Sequence, residues 1–209
     1  MHERLRKVAR AGTAVVLAGL AALVIAGCTG GGEPSPSTVP PAPSATTATG
    51  IPAPSSPSSR APMTVASPAF SDGARIPDRY SCRGENSSPP LTWTGVPAGA
   101  AALALVMDDP DAVGGRYLHW IVSDIPAGTS GTVAGDEPAG GQVSANSSGE
   151  PAYLGPCPPP GSGVHHYRFT VYALTRRLSL SPSTPAERAV ELIAGSAIGQ
   201  GRLVGTYTG

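Results

Sequence analysis

Three short stretches of this 209-residue chain gather side chains that could do chemistry. The first is Asp108-Asp109-Pro110-Asp111, at the end of an apolar run. Carboxylates so close repel one another unless a cation, hydrogen-bond donors or solvent balances them. Pro110 confines Asp109 to extended backbone. The second stretch places His119 within Leu118-His119-Trp120-Ile121-Val122, and the third joins Pro158-Pro159-Pro160-Gly161-Ser162-Gly163 to Val164-His165-His166-Tyr167. Histidines donate to anions, more strongly when protonated, and a tyrosine adds a neutral donor. Neighbouring carboxylates orient the imidazoles, raise their pKa or receive an ammonium. Taken singly, each residue has a plainer reading: His119 and Tyr167 as satisfied core residues, Asp-Pro-Asp as a solvated turn. Metal chemistry is not expected, because adjacent strand residues such as His165 and His166 point oppositely and do not share one ion. No serine lies in a G-x-S-x-G elbow. The chain therefore reads as a non-enzyme without a cofactor.

The elements that must position these residues are strands. Short apolar runs recur at Leu103–Met107, Leu118–Ile125, Tyr167–Leu174 and Leu203–Tyr207, bounded by Gly, Pro, Asn and Asp, as strands are. Strict alternation puts His119 on one face with Ile121, and Leu118, Trp120 and Val122 on the other. It also puts His165, Tyr167, Phe169 and Val171 on one face, so a histidine and a tyrosine end an apolar stripe. One helix is predicted near the C-terminus, with Thr184 as cap, Pro185 in the first turn, Glu187 completing a capping box, an apolar face of Ala189, Val190, Leu192 and Ile193, and Gly195 as the stop. The fold class is mostly β with a short C-terminal helix and long loops.

Only residues 62–209 carry these signals. Residues 1–27 combine Arg4, Arg6, Lys7 and Arg10 with an apolar run from Ala11 to Ala26, too short for a spanning helix and shaped like an export signal. Its end, Ile25-Ala26-Gly27-Cys28, resembles the bacterial lipobox, which implies acylation of Cys28 and a stable membrane anchor of two or three chains. Residues 28–61 form a Pro/Ser/Thr/Ala-rich tether that cannot bury enough apolar surface to order itself. The domain holds nine arginines against twelve carboxylates, and the whole chain has no net charge. That balance argues against a nucleic-acid partner.

In combination the motifs resemble the phosphatidylethanolamine-binding protein (PEBP, or Raf kinase inhibitor protein) family. The resemblance runs through Asn86-Ser87-Ser88-Pro89-Pro90-Leu91-Thr92-Trp93, Asp-Pro-Asp, His119-Trp120, Gly155-Pro156-Cys157-Pro158-Pro159 and Gly163-Val164-His165-His166-Tyr167, over roughly residues 64–208. It implies a β-sandwich of antiparallel sheets and one small anion pocket. By position the pocket would hold Asp109, Asp111, Tyr117, His119, Pro159, His165 and Tyr167. The implied ligand is a phosphorylated small molecule or a phospholipid head group, bound by a lipoprotein on the outer side of the cell membrane. The alternative is a PEBP scaffold that inhibits an exported enzyme. Bacterial relatives also allow a homodimer. With Cys28 acylated, Cys82 and Cys157 remain; an oxidising compartment favours their pairing, and the other arrangement is two buried free thiols.

Overall fold

The computed structural model describes residues 60–209. The expected export signal, the expected acylation of Cys28 and the expected tether, up to residue 59, lie outside the described residues.

The four apolar runs form the long strands of one sheet. They are β4 (Ala102–Asp109), β5 (Tyr117–Ile125), β8 (Val164–Leu174) and β9 (Ala197–Thr208). Two short strands flank them, β1 (Ala61–Pro62) and β7 (Gln142–Ser144), giving the order β1-β9-β8-β4-β5-β7. All pairings are antiparallel except that of β1 with β9. A three-stranded antiparallel sheet, β2 (Thr64–Ala66), β3 (Leu91–Thr94) and β6 (Gly131–Thr132), lies in the order β2-β3-β6. Among the described residues strand pairing starts at Ala61, and the Arg60 guanidinium donates to the Ala194 carbonyl at 2.8 Å.

The larger sheet is buried on both faces, which is why β4 reads as an unbroken apolar run. On one face Leu103, Leu105, Met107, Tyr167, Phe169, Val171 and Leu203 pack with Leu91 and Trp93 of the smaller sheet. On the other face Ala104, Val106, Leu118 and Ile121 pack under the helix α1 (Ala186–Ser196) through Ala189, Val190 and Ile193.

The helix forms as its apolar periodicity demands, but its ends differ from the expectation. Pro185 occupies the N-cap and no side chain caps the first turn. Thr184 instead closes a turn with its backbone amide on Ser181 O. Gly195 does not stop the helix, which runs through Ser196 and passes straight into β9. Packing of Ala189, Val190 and Ile193 against the sheet, rather than capping chemistry, sets its limits.

Two irregularities between β4 and β5 shape the sheet. Leu103 pairs with Ile125 but Leu105 with Val122, and Asp124 sits in the extra length at φ +58°. Its fully buried carboxylate accepts the backbone amides of Leu178 and Ser179, each at 2.7 Å. Asp124 thereby pins the loop that leads into α1. Substituting Asp124→Ala strands both amides and is expected to cost about 2 kcal/mol, read as a fall of roughly 5 °C in thermal midpoint. An unchanged midpoint would show that the loop is held elsewhere.

Candidate functional site

The second irregularity positions the site. Met107 pairs with Trp120 and Asp108 with Leu118, so β5 carries one extra residue, His119. A bulge of this kind bends a strand and re-aims a side chain. Strict alternation fails here: Trp120 and Val122 join the core that contains Tyr167, while Leu118 and Ile121 face α1. His119 lies on the Tyr167 side, its ring 5.2 Å from that of Tyr167 and 4.8 Å from that of Tyr117. The expectation that His119 shares a face with Ile121 is thus corrected, and the cause is the bulge.

The carboxylates divide by strand face. Asp108 lies opposite Arg168 in the β4–β8 ladder and forms an ion pair with it. Asp109, one residue on, turns to the other face. Its Oδ2 lies 2.7 Å from His165 Nδ1, and both side chains are only 3% exposed. Its Oδ1 accepts the backbone amide of Asp111 at 2.8 Å. Asp111 does not line the cavity. It turns outward, where its Oδ2 meets the His166 amide at 2.9 Å and His166 Nδ1 at 2.8 Å. Those His166 contacts hold its carboxyl below the usual carboxylate range. The Asp108-Asp109-Pro110-Asp111 segment is therefore a turn whose first two aspartates serve opposite faces and whose third ties the turn to the start of β8.

The remaining wall is the segment from Leu154 to Pro159. Its backbone accepts and donates at one residue: the Leu154 amide donates to His119 O at 3.1 Å, and His119 Nδ1 lies 2.7 Å from Leu154 O. A carbonyl only accepts, so Nδ1 carries the proton and Nε2 is the nitrogen left for a ligand. Burial pushes the His119 pKa down, partly opposed by the Leu154 hydrogen bond and by Asp109 and Asp108. At neutral pH His119 is neutral, and its Nε2 is an acceptor until it takes a second proton.

Four ties fasten the wall to the neighbouring loop. They are the Cys82–Cys157 disulfide, Cys82 N to Pro156 O at 3.1 Å, Gly155 N to Asn86 Oδ1 at 2.8 Å and Tyr153 Oη to Tyr80 O at 2.7 Å. Gly155 is required by contact, because a Cβ there would lie 2.4 Å from Tyr80 O. The disulfide expected from cysteine use is present.

Together these elements enclose a cavity of about 400 Å³ lined by Asp109, Tyr117, His119, Pro159, His165 and Tyr167, with Ala112, Val113, Leu154, Cys157 and Pro158 completing the wall. Two more open hollows, of about 550 and 530 Å³, contain no histidine; the concentrated chemistry lies in the smaller one. Burial and the nearby Asp109 push the Tyr167 phenol up, so it stays a protonated donor at neutral pH. Of the residues expected from sequence, all but Asp111 meet here. Sequence reasoning missed the Leu154 carbonyl, which sets the His119 tautomer, and Ser162, whose Oγ lies 3.0 Å from His165 Nε2. A backbone carbonyl leaves no sequence signal. Ser162 did leave one, a serine three residues before the histidine across a glycine.

Comparison with known proteins agrees with this architecture. The family described as phosphatidylethanolamine-binding protein matches residues 66–208, and the chain belongs to that family. A Mycobacterium tuberculosis protein named "Putative lipoprotein LppC" is 53% identical over 199 residues, covering 94% of this chain and 96% of its own. A protein of Methanothermobacter thermautotrophicus is 45% identical over 150 residues, covering 69% of this chain and 98% of its own. Among solved structures, Escherichia coli YbcL, described as a member of the mammalian PEBP family, superposes with a TM-score of 0.66 at 28% identity, over 69% of this chain and 97% of its own. The PEBP homologue CT736 of Chlamydia trachomatis gives a TM-score of 0.64 at 37% identity, over 71% and 98%.

Proposed function

We propose that this chain is a cell-envelope lipoprotein, anchored through Cys28, whose cavity binds a phosphate-bearing small molecule or a phospholipid head group. The carrying observation is the convergence of His119, Tyr167 and the His165–Asp109 pair on one small, largely apolar cavity. Tyr167 donates to a phosphate oxygen. His119 Nε2 donates to another once protonated, a charge-assisted bond of the stronger kind. Asp109 keeps His165 oriented, and the apolar wall excludes water and strengthens each contact. The name of the Mycobacterium tuberculosis relative and the lipobox-like Ile25–Cys28 support anchoring on the outer side of the membrane.

This reading predicts a sign for pH. Burial holds His119 below its ordinary value of 6.5, so the empty folded chain resists the proton that the unfolded chain accepts, and acidification through that range disfavours the fold. An anion that binds the protonated form reverses the balance and raises the His119 pKa. Anion affinity should therefore strengthen as pH falls, by up to about tenfold per unit. Calorimetric titration of the full chain in detergent, at about pH 7.5 and about pH 5.5, tests it. Phosphorylethanolamine is the probe, and sulfate, whose charge is constant there, is the control. Both should bind more tightly at the lower pH, and His119→Ala should remove the increment. If folded His119→Ala and His165→Ala chains bind like the parent, the site is wrongly placed.

A further inference from the structure

Ser162, His165 and Asp109 stand in a line. Ser162 Oγ is 3.0 Å from His165 Nε2, and His165 Nδ1 is 2.7 Å from Asp109 Oδ2. A nucleophile, a base and a carboxylate that orients the base are recognised by such geometry and roles, not by chain order or by a surrounding motif. Their environments also differ in the useful sense. Asp109 and His165 are buried, so the pair is fixed, whereas Ser162 is exposed and open to a substrate.

We infer that Ser162 is a nucleophile activated by His165 and Asp109, giving the cavity acyl-transfer activity toward small esters. The inference goes beyond the binding reading and stands on the three-residue line whichever anion the cavity holds. The Ser162 hydroxyl also lies 2.8 Å from Pro159 O. Its single proton has two acceptors within reach, and turning the O–H bond alone redirects it from Pro159 to a neutral Nε2. No heavy atom moves.

The step then follows. Ser162 Oγ bonds to the ester carbonyl carbon while its proton passes to His165 Nε2. The carbonyl π pair becomes an oxyanion, placed in a cavity where the Tyr167 hydroxyl donates. Collapse breaks the bond to the leaving alcohol oxygen, which takes the proton from Nε2. Water repeats the sequence on the acyl-serine, giving a carboxylic acid and free Ser162. Asp109 holds the Nδ1 proton throughout and stabilises the imidazolium that forms transiently. Ala112, Val113, Leu154 and Pro158 are apolar, and within about 400 Å³ they suit a short acyl chain. The tetrahedral oxyanion of this reaction shares the tetrahedral shape and the anionic oxygen of a phosphate monoester, so one cavity serves both.

A reporter-tagged alkyl fluorophosphonate tests the relay on the full chain. Oγ attacks phosphorus and displaces fluoride, leaving a stable phosphonyl-serine. Peptide mass mapping should place the label on Ser162 in the folded chain and not in urea. Ser162→Ala should remove it and slow p-nitrophenyl acetate hydrolysis at least about 100-fold toward the buffer rate. Asp109→Asn should slow labelling while Ser162 is retained. No label at Ser162 in a cooperatively folding chain overturns the inference, as does an unchanged hydrolysis rate in Ser162→Ala. Sulfate binding with no labelling sinks the relay alone. Labelling without anion binding sinks the binding reading alone.

Discussion

Asp109→Ala is expected to abolish anion binding and to lower the unfolding free energy by about 1–3 kcal/mol, the cost of leaving a buried imidazole N–H without its acceptor. The carboxylate has two tasks in this fold. Oδ2 holds His165 Nδ1, and Oδ1 holds the Asp111 amide that closes the Asp-Pro-Asp turn. Alanine leaves a buried imidazole facing a small void and frees the turn that Asp111 ties to His166. Asp109→Asn separates the two tasks. Its amide oxygen can still accept from the Asp111 backbone, but its NH₂ presents a donor to Nδ1 and forces the proton of His165 onto Nε2. The asparagine chain should therefore lose about 1–2 kcal/mol, with the His165 tautomer inverted. Urea titration reads the stability, and imidazole nitrogen shifts read the tautomer. If Asp109→Ala is as stable as the parent and binds phosphorylethanolamine, the pair is incidental.

Much of this arrangement was written in the chain, and the gaps have physical reasons. The four long strands follow from apolar runs closed by Gly, Pro, Asn and Asp, because a doubly covered sheet needs apolar side chains on both faces. The strands β1, β6 and β7 have two or three residues each. Nothing that short has a period. The capping box before α1 is a real local pattern that the tertiary packing does not use. At the site, the resemblance of the motifs to the family, carried over by position, was enough to gather six residues of the wall. Types and order were not enough to aim His119, because a bulge is a relation between two strands and leaves no mark on one. Nor could they tell Asp109 from Asp111, two residues apart and both extended in a naive reading. The turn at Pro110 sends one carboxylate inward to His165 and the other outward to His166. Ser162 escaped for a related reason. The elbow motif encodes one backbone route to an exposed serine beside a histidine, and this fold reaches the same contact by a glycine-flanked turn, with Gly161 at φ +79° and Gly163 at φ +88°.

Removing the disulfide should be the other large perturbation. Cys82 and Cys157 are 75 residues apart in sequence, and closing so long a loop restricts the unfolded chain by up to about 4 kcal/mol in the chain-entropy account. The double variant Cys82→Ser/Cys157→Ser is thus expected to lose about 2–4 kcal/mol and roughly 10 °C of thermal midpoint. The effect should reach the site, because Cys157 lines the cavity and Leu154, three residues before it, fixes the His119 tautomer. With the bridge gone, the wall keeps the Tyr153–Tyr80, Gly155–Asn86 and Cys82–Pro156 hydrogen bonds. These are individually worth about 1 kcal/mol and open more readily. Anion affinity should fall together with hydrogen-exchange protection of the Leu154 amide, and a thiol reductant should reproduce both losses in the parent chain. A variant that loses stability but keeps its affinity would show that the three hydrogen bonds alone hold the wall. The bridge would then act on the unfolded chain and not on the cavity.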